Sequence, residues 1–175
     1  AVVVLYWKKF FDFKNINFYI KLIIAVIPAL LVGAIFKKHI DAALSNLMFI
    51  AIVMIVGGII LLFVDKLFTN NKIQSEQQID FFTAFKIGVF QVLSIIFPGL
   101  SRSAATIIGG MSIGLTRKVA AEFSFFLAVP TMFAASAKSM LDVYQEGQVT
   151  FVSSDVITLL IGCVISFIVA FLAVK

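Results

Sequence analysis

A single arginine stands between two uncharged runs in the middle of the chain. Arg102 follows Ile87–Ser101 and precedes Ser103–Leu115, which hold 15 and 13 residues without a charge. A charged side chain is costly inside a membrane, and it commonly serves a transport pathway or a ligand. The guanidinium presents a planar fork of donors that fits a phosphate bidentately. The alternative is a hairpin tip at the membrane interface, where Arg102 binds lipid headgroups.

The backbone around Arg102 favours an anion site. Pro98–Gly99 is a strong helix breaker, so we expect one helix to end there. Ser101 or a neighbour can cap the next helix. The N–H groups of Arg102, Ser103 and Ala104 would then point outward from a positive helix end, which attracts anions.

Side chains near the break add hydroxyl groups. Ser101 and Ser103 flank Arg102, and Thr106 shares its helix face because residues four apart are neighbours on a helix. We therefore predict that Arg102, Ser101, Ser103 and Thr106 form a phosphate-binding nest. The small residues that follow allow close approach of a partner helix; they are Ala104, Ala105, Gly109 and Gly110.

Two other polar residues lie beside this region. Gln91 precedes Pro98 by seven residues; an interhelical hydrogen bond is the favoured interpretation, and contact with the substrate is the alternative. For Glu122 we favour an ion pair with Lys118, with a contact to Arg102 as the alternative.

The composition indicates a membrane protein. Of the 175 residues, 62% are hydrophobic and 13% charged, against about 45–50% and 25% in soluble domains. The net charge of +5 comes from scattered pairs with no aromatic-laced basic face, which argues against nucleic acid as a partner. The single cysteine, Cys163, excludes an internal disulfide and a multi-cysteine metal site, and we interpret it as a small core residue.

The hydropathy pattern predicts an all-α, polytopic transmembrane bundle that forms a single membrane domain over 1–175. A span needs about 20 residues. The candidate spans are Leu22–Phe36, Leu47–Val64, Phe123–Ala137 and Val156–Val174.

The region Phe81–Leu115 differs from these spans. Its halves are short for a crossing, so we predict a re-entrant helical hairpin broken at Pro98–Gly99. Irregular backbone at membrane depth is tolerated only where protein buries it or where it lines a wet cavity.

The connections indicate an orientation. Asp65–Asp80 and Asp142–Asp155 are expected to be polar loops on opposite sides. The first side collects seven basic residues and the second collects only Lys37 and Lys38, so the first side is cytoplasmic by the positive-inside rule. The seven are Lys8, Lys9, Lys14, Lys66, Lys72, Arg117 and Lys118.

Three segments of the chain closely resemble a known bacterial family. They are Phe97-Pro98-Gly99-Leu100-Ser101-Arg102-Ser103-Ala104-Ala105-Thr106, followed by Gly109-Gly110-Met111, and the run from Ala121 to Pro130. The chain resembles undecaprenyl-diphosphatase of the bacitracin-resistance type over essentially its whole length, and the Pro-Gly-x-Ser-Arg-Ser-x-x-Thr run is highly specific to that family.

The resemblance implies a function. It implies removal of the terminal phosphate from undecaprenyl diphosphate, which recycles the lipid carrier of cell-wall synthesis, in an inverted-repeat fold with a site open to the periplasm. Arg102 would hold the phosphate with hydroxyl partners Ser101, Ser103 and Thr106. Pro98, Gly99 and Gln91 are the expected substrate-binding residues.

The chain departs from the family in one respect. The family's N-terminal hairpin, with two glutamates and a Ser-Ser-Thr-Gly-His run, is absent, and the only histidine, His39, matches nothing in it. We therefore expect a fragment cut at both ends, inactive alone, with the hairpin upstream of Ala1.

The resemblance also leaves several features open. A divalent cation (Mg or Ca) would find its ligands in the N-terminal hairpin. The resemblance does not decide whether the protein forms a homodimer. It also does not decide whether a serine hydroxyl or a water molecule attacks the phosphate. The alternative function is a transporter or flippase for an anionic prenyl-phosphate lipid, because discontinuous helices also mark transporters.

Overall fold

The computed structural model describes residues 2–10, 16–36, 40, 43–68, 72–146 and 153–174. In chain order its helices are α1 (Val2–Leu5), α2 (Trp7–Phe10), α3 (Ile16–Ile35), α4 (Leu47–Leu67), α5 (Phe81–Ile96), α6 (Arg102–Ser112), α7 (Arg117–Glu146) and α8 (Ser153–Val174). The chain divides into two compact units, one over Ile16–Pro130 and the other over Ala1–Asn15 with Thr131–Lys175.

Three helices are long and apolar enough to cross a membrane. They cover Ile16–Ile35, Leu47–Leu67 and Arg117–Gln145, with mean hydropathies of 2.4, 3.2 and 1.5. The fourth expected span lies within the 22 residues of α8. The predicted all-α, polytopic membrane architecture is therefore confirmed.

The smaller unit contains α1, α2, the end of α7 and α8. α1 packs against α8, and the rings of Phe167 and Phe171 stack at 6.2 Å along α8. Cys163 is exposed on this helix, so its interpretation as a core residue is wrong. The apolar side chains of α8 mostly point outward, as expected for a helix that faces lipid.

In the larger unit, α3 and α5 pack together through small residues. Gly88 of α5 lies so close to Ala25 of α3 that a methyl group in its place would come within 2.2 Å of the Ala25 carbonyl oxygen. Ala25 is fully buried. Small residues at such contacts let two helix backbones approach, which is how helices associate in lipid.

The aromatic core of this unit comes from α7. Phe123, Phe126 and Leu127 are at most 1% exposed. The ring of Phe18 in α3 meets Phe126 edge to face at 5.3 Å, a favourable arrangement for two aromatic rings. The first turns of α7 are thus anchored in the interior of the unit.

Two contacts between distant segments stabilise one end of the unit. Asp65 at the end of α4 forms an ion pair with Arg117 at the start of α7. Ile73 and Leu115 form an isolated parallel β-bridge, with the Ile73 N–H donating to Gly114 O at 2.9 Å. The connection before α5 and the connection after α6 therefore lie at the same end, as a re-entrant hairpin requires.

Two expectations about polar residues are wrong. Among the described residues Lys118 and Glu122 form no ion pair. The neighbouring Arg117 forms one, with Asp65. The region Asp65–Asp80 is also not wholly a solvated loop. α4 continues to Leu67, and Ile79 is only 1% exposed because it packs into the core.

We expect Gly88→Ala to destabilise the protein. The added methyl would overlap the Ala25 backbone, and overpacking of this kind costs about 1–3 kcal/mol. Gly58→Ala is the matched control, since nothing lies within 4 Å of a methyl group there. Thermal unfolding in detergent should show a lower Tm for Gly88→Ala only. Equal melting of the two variants would contradict the close α3–α5 contact.

We expect Asp80 to make the folded protein less stable as the pH falls into the acid range. Its carboxylate accepts the Thr83 N–H at 2.9 Å as the N-cap of α5. Hydrogen bonds from the Thr83 side chain and backbone lower the pKa of Asp80. A carboxylate with a lowered folded pKa stabilises the fold above its unfolded pKa of about 3.9, and this stabilisation is lost as the pH falls through the folded value.

The test compares Asp80→Asn with the unchanged chain, because asparagine also caps helices but does not titrate. The two should melt similarly near pH 7. The unchanged chain should lose more stability than Asp80→Asn below about pH 4. Parallel pH profiles for the two proteins would refute the role of the charge.

Candidate functional site

The predicted break between the two halves of the hairpin is present. α5 ends at Ile96 and α6 begins at Arg102. Gly99 has a φ of +103°, a conformation that glycine adopts without steric cost. A methyl group at Gly99 would also lie 2.6 Å from the carbonyl oxygen of Ile50 in α4. Glycine is required here by the backbone conformation and by the close approach of α4.

The tip of the hairpin packs along α4. Leu100 points at Gly57, where a methyl group would come within 2.8 Å of the Leu100 side chain. Pro98 is buried in the same turn. At about 1.5 Å per residue, Ile50 and Gly57 lie roughly 5 and 15 Å from the first residue of α4. The tip therefore lies alongside α4 and not beyond its end.

The first turn of α6 has the expected cap. The Ser101 Oγ accepts the Ala104 N–H at 3.4 Å, and the Ser101 carbonyl accepts the Ala105 N–H at 2.9 Å. The Ala104 N–H, also predicted to face a ligand, donates to the Ser101 cap in this structure. Within the described part of the chain the amides of Arg102 and Ser103 have no acceptor. Two N–H groups at the positive end of the helix are thus left for a ligand.

The side chains of Arg102 and Ser103 are half-buried at this helix start. The described residues provide no carboxylate within ion-pair distance of Arg102. A partly buried cation normally requires a compensating charge. The local arrangement of one guanidinium, the Ser103 hydroxyl and two amides supplies several hydrogen-bond donors and a positive charge, and it therefore suits an anion.

Thr106 lies deeper than its partners. It is 2% exposed, and its hydroxyl lies 3.1 Å from both the Arg102 and the Ser103 carbonyl oxygens. It also lies 2.7 Å from the hydroxyl of Ser124 in α7. In this structure the Thr106 hydroxyl is engaged in packing between helices, and a direct contact with the ligand stays a prediction.

The small residues of α6 make the close helix contacts that the sequence predicts. A methyl group at Gly109 would lie 2.4 Å from the ring of Phe90 in α5, and one at Gly110 would lie 3.0 Å from Ala120 in α7. Ala104 and Ala105 are also buried. α6 is therefore wedged between α5 and α7, with its first residues against α4.

The remaining predicted residues differ in their burial. Gln91 is 1% exposed inside α5, which is the position expected for an interhelical contact, and its role in substrate binding stays a prediction. Glu122 is half-buried on α7. His39 falls outside the described residues.

Sequence reasoning missed three residues that hold the site. Ile50 and Gly57 give α4 its contact with the tip. Nothing local marks Ile50, whereas Gly57 carried a signal, because small residues allow close approach between membrane helices. Ser124 also carried a signal. It is a hydroxyl residue within an apolar helical segment, and such residues often form hydrogen bonds between membrane helices.

The described residues contain no cluster of three or more histidine, cysteine, aspartate or glutamate side chains that could hold a metal ion. The groups around Arg102 are a guanidinium, backbone N–H groups and hydroxyls. Mg and Ca instead require several oxygen ligands, usually including carboxylates. A divalent cation does not fit this half of the site, so its ligands would have to come from other residues.

Comparison with known proteins gives a consistent result. A family model described as bacitracin resistance protein BacA matches residues 1–175. A protein of Flavobacterium psychrophilum named undecaprenyl-diphosphatase is 49% identical over the whole chain, which covers 64% of that protein. Proteins with the same name from Flavobacterium johnsoniae and Bdellovibrio bacteriovorus are 48% and 39% identical, each with 65% of its length covered.

The chain thus spans slightly less than two thirds of the length of these curated relatives. The family match extends over every residue, including the break at Pro98–Gly99 and the Ser101-Arg102-Ser103 turn. The chain belongs to the bacitracin resistance protein BacA family.

Proposed function

We propose that this chain forms the phosphate-binding half of a membrane enzyme that hydrolyses undecaprenyl diphosphate to undecaprenyl phosphate and phosphate. The reaction would recycle the lipid carrier of peptidoglycan synthesis and thereby confer bacitracin resistance. The names of the relatives support this substrate. The observation that carries the proposal is the half-buried Arg102 at the start of α6, with no carboxylate partner among the described residues.

The residues of the chain suit the charge of a diphosphate. The Arg102 guanidinium can bind two oxygens of one phosphate, and the amides of Arg102 and Ser103 can donate to a third. Ser103 adds a neutral donor, and Ser101 can donate its hydroxyl proton while its oxygen caps the helix. These donors would be placed by the fold before the substrate arrives, so little reorganisation is required when charge builds up.

Hydrolysis breaks the P–O–P anhydride bond and adds the elements of water to the two products. Charge develops on phosphoryl oxygens in the transition state, so catalysis consists mainly of positioning and electrostatic stabilisation. Arg102 and the α6 amides would supply this stabilisation. A general base and the ligands of a divalent cation (Mg or Ca) would be carboxylates and a histidine outside the described residues, because the groups at Arg102 are cationic or neutral.

The hairpin supports a proposal for the position of the site in the membrane. Its two connections lie at one end of the larger unit, and its tip packs beside Ile50 and Gly57. The basic residues Lys66, Lys72, Arg117 and Lys118 are also at or near that end. By the positive-inside rule this end faces the cytoplasm, so the tip and Arg102 would open toward the periplasm in the inner membrane.

Arg102→Lys should lose most activity in the full-length natural protein while folding normally. Lysine keeps the charge but not the planar fork. Each hydrogen bond lost to a charged group costs about 1.5–3 kcal/mol, or roughly a ten- to hundredfold loss in rate. Arg102→Ala should lose more and Ser103→Ala less. The measurement is kcat/KM for phosphate release from a prenyl diphosphate in detergent, with Tm compared alongside.

The 175-residue chain alone is the control, and we expect no phosphate release from it. Near-normal turnover in both arginine variants would leave Arg102 as a headgroup anchor. If the full-length protein moves a prenyl phosphate across vesicles without hydrolysing the diphosphate, the transporter alternative is correct.

The orientation can be tested by cysteine labelling in intact cells. With Cys163 replaced, a single cysteine at Gln77 should be protected from an impermeant reagent, because we place the connection before α5 in the cytoplasm. A cysteine at Gln145 should be labelled from outside. The reverse pattern would invert the orientation and place the site on the cytoplasmic side.

A further inference from the structure

Ser124 in α7 is a buried hydroxyl residue that meets the helix of the candidate site. Its Oγ lies 2.7 Å from the Thr106 Oγ1, and both residues are 2% exposed. We propose that Ser124 is a positioning residue, which holds α6 at the rotation and depth that place Arg102 on the phosphate. The inference rests on the proposed function, since it concerns the same site.

The neighbours of Thr106 favour one direction for this hydrogen bond. Thr106 has one hydroxyl proton, and the carbonyl oxygens of Arg102 and Ser103 both lie 3.1 Å from its oxygen. These carbonyls can only accept, and threonine commonly donates to the preceding turn of its own helix, which favours Thr106 as the donor to one of them. In that arrangement its oxygen accepts the proton of Ser124, which is the donor across the two helices.

The consequence is a continuous polar connection between α7 and the first turn of α6. Ser124 holds Thr106, and Thr106 holds the carbonyls of Arg102 and Ser103, whose own amides and side chains form the candidate site. Ser124 itself is flanked by Phe123, which is fully buried. A hydroxyl on this rigid face fixes the position of α6 more narrowly than apolar packing does, because a hydrogen bond requires a defined distance and angle.

The small residues of α6 make such a constraint necessary. Gly110 faces Ala120 of α7, so the contact between these helices has few side-chain atoms that would prevent sliding. Loss of the Ser124 hydroxyl would also leave the Thr106 oxygen short of a donor in a buried position, which is unfavourable. α6 would then settle in other positions, and the Arg102 fork would be displaced from the phosphate.

The experiment is a double-mutant cycle in the full-length natural protein with farnesyl diphosphate as substrate. It compares Ser124→Ala, Arg102→Lys and the double variant by kcat/KM and by Tm. Ser112→Ala is the matched control, since the Ser112 hydroxyl donates only to Gly109 O of its own helix, at 2.8 Å. Ser124→Cys provides a second variant, with a somewhat larger side chain and a weaker donor, and it carries the test if Ser124→Ala does not fold.

We expect Ser124→Ala to lower kcat/KM about three- to tenfold, from the range for one hydrogen bond. Ser124→Cys should fall between Ser124→Ala and the unchanged protein, and Ser112→Ala should remain near full activity. In the Arg102→Lys background, Ser124→Ala should cost less than about twofold, because residues that act through one another are not additive.

Two results would overturn the inference. One is an unchanged kcat/KM in Ser124→Ala. The other is the same fold loss from Ser124→Ala with Arg102 and with Lys at position 102, which would make Ser124 a purely structural residue while an impaired Arg102→Lys still supported the proposed function. Full activity in Arg102→Lys itself would instead remove the proposed role of Arg102, and the positioning role with it.

Discussion

The larger unit of this protein depends on a helix that starts within an apolar region. A helix start leaves N–H groups without partners inside the helix, and lipid offers none. At the start of α6 these N–H groups have two different roles. Ser101 satisfies one amide by capping, while the amides of Arg102 and Ser103 remain for a ligand. Burial against protein makes such a break tolerable, and under the proposed function an anion would balance the charge of Arg102.

Much of the surrounding sequence serves to bury that break. Gly99 and Gly57 bring the tip against α4, and Gly109 and Gly110 bring α6 against α5 and α7. Glycines shape this contact surface because a larger residue would hold the helices apart. The hydroxyl pair Thr106–Ser124 then supplies the directional contact that the glycines cannot. Close packing and a buried hydrogen bond thus contribute separately to the position of α6, which carries Arg102.

The sequence predicts the helices and the break because both depend on local patterns. Long apolar runs mark the spans, and Pro98–Gly99 marks the interruption. Contacts between distant segments have no such local mark. The pairing of Arg117 with Asp65, instead of Lys118 with Glu122, depends on where two helices end in space. The docking of Leu100 on Gly57 depends on how α4 lies beside the hairpin. Thr106 bonds to Ser124, a residue 18 positions along the chain, while its contact with the ligand stays a prediction.

An experimental structure of the full-length protein with a non-hydrolysable prenyl diphosphate analogue would test the central claim most directly. The account predicts that the terminal phosphonate group lies at the start of α6. Its oxygens should be within about 3 Å of the Arg102 guanidinium and of the Arg102 or Ser103 amide, the usual distance for such hydrogen bonds. A diphosphonate bound elsewhere, with Arg102 on a lipid headgroup, would contradict the account.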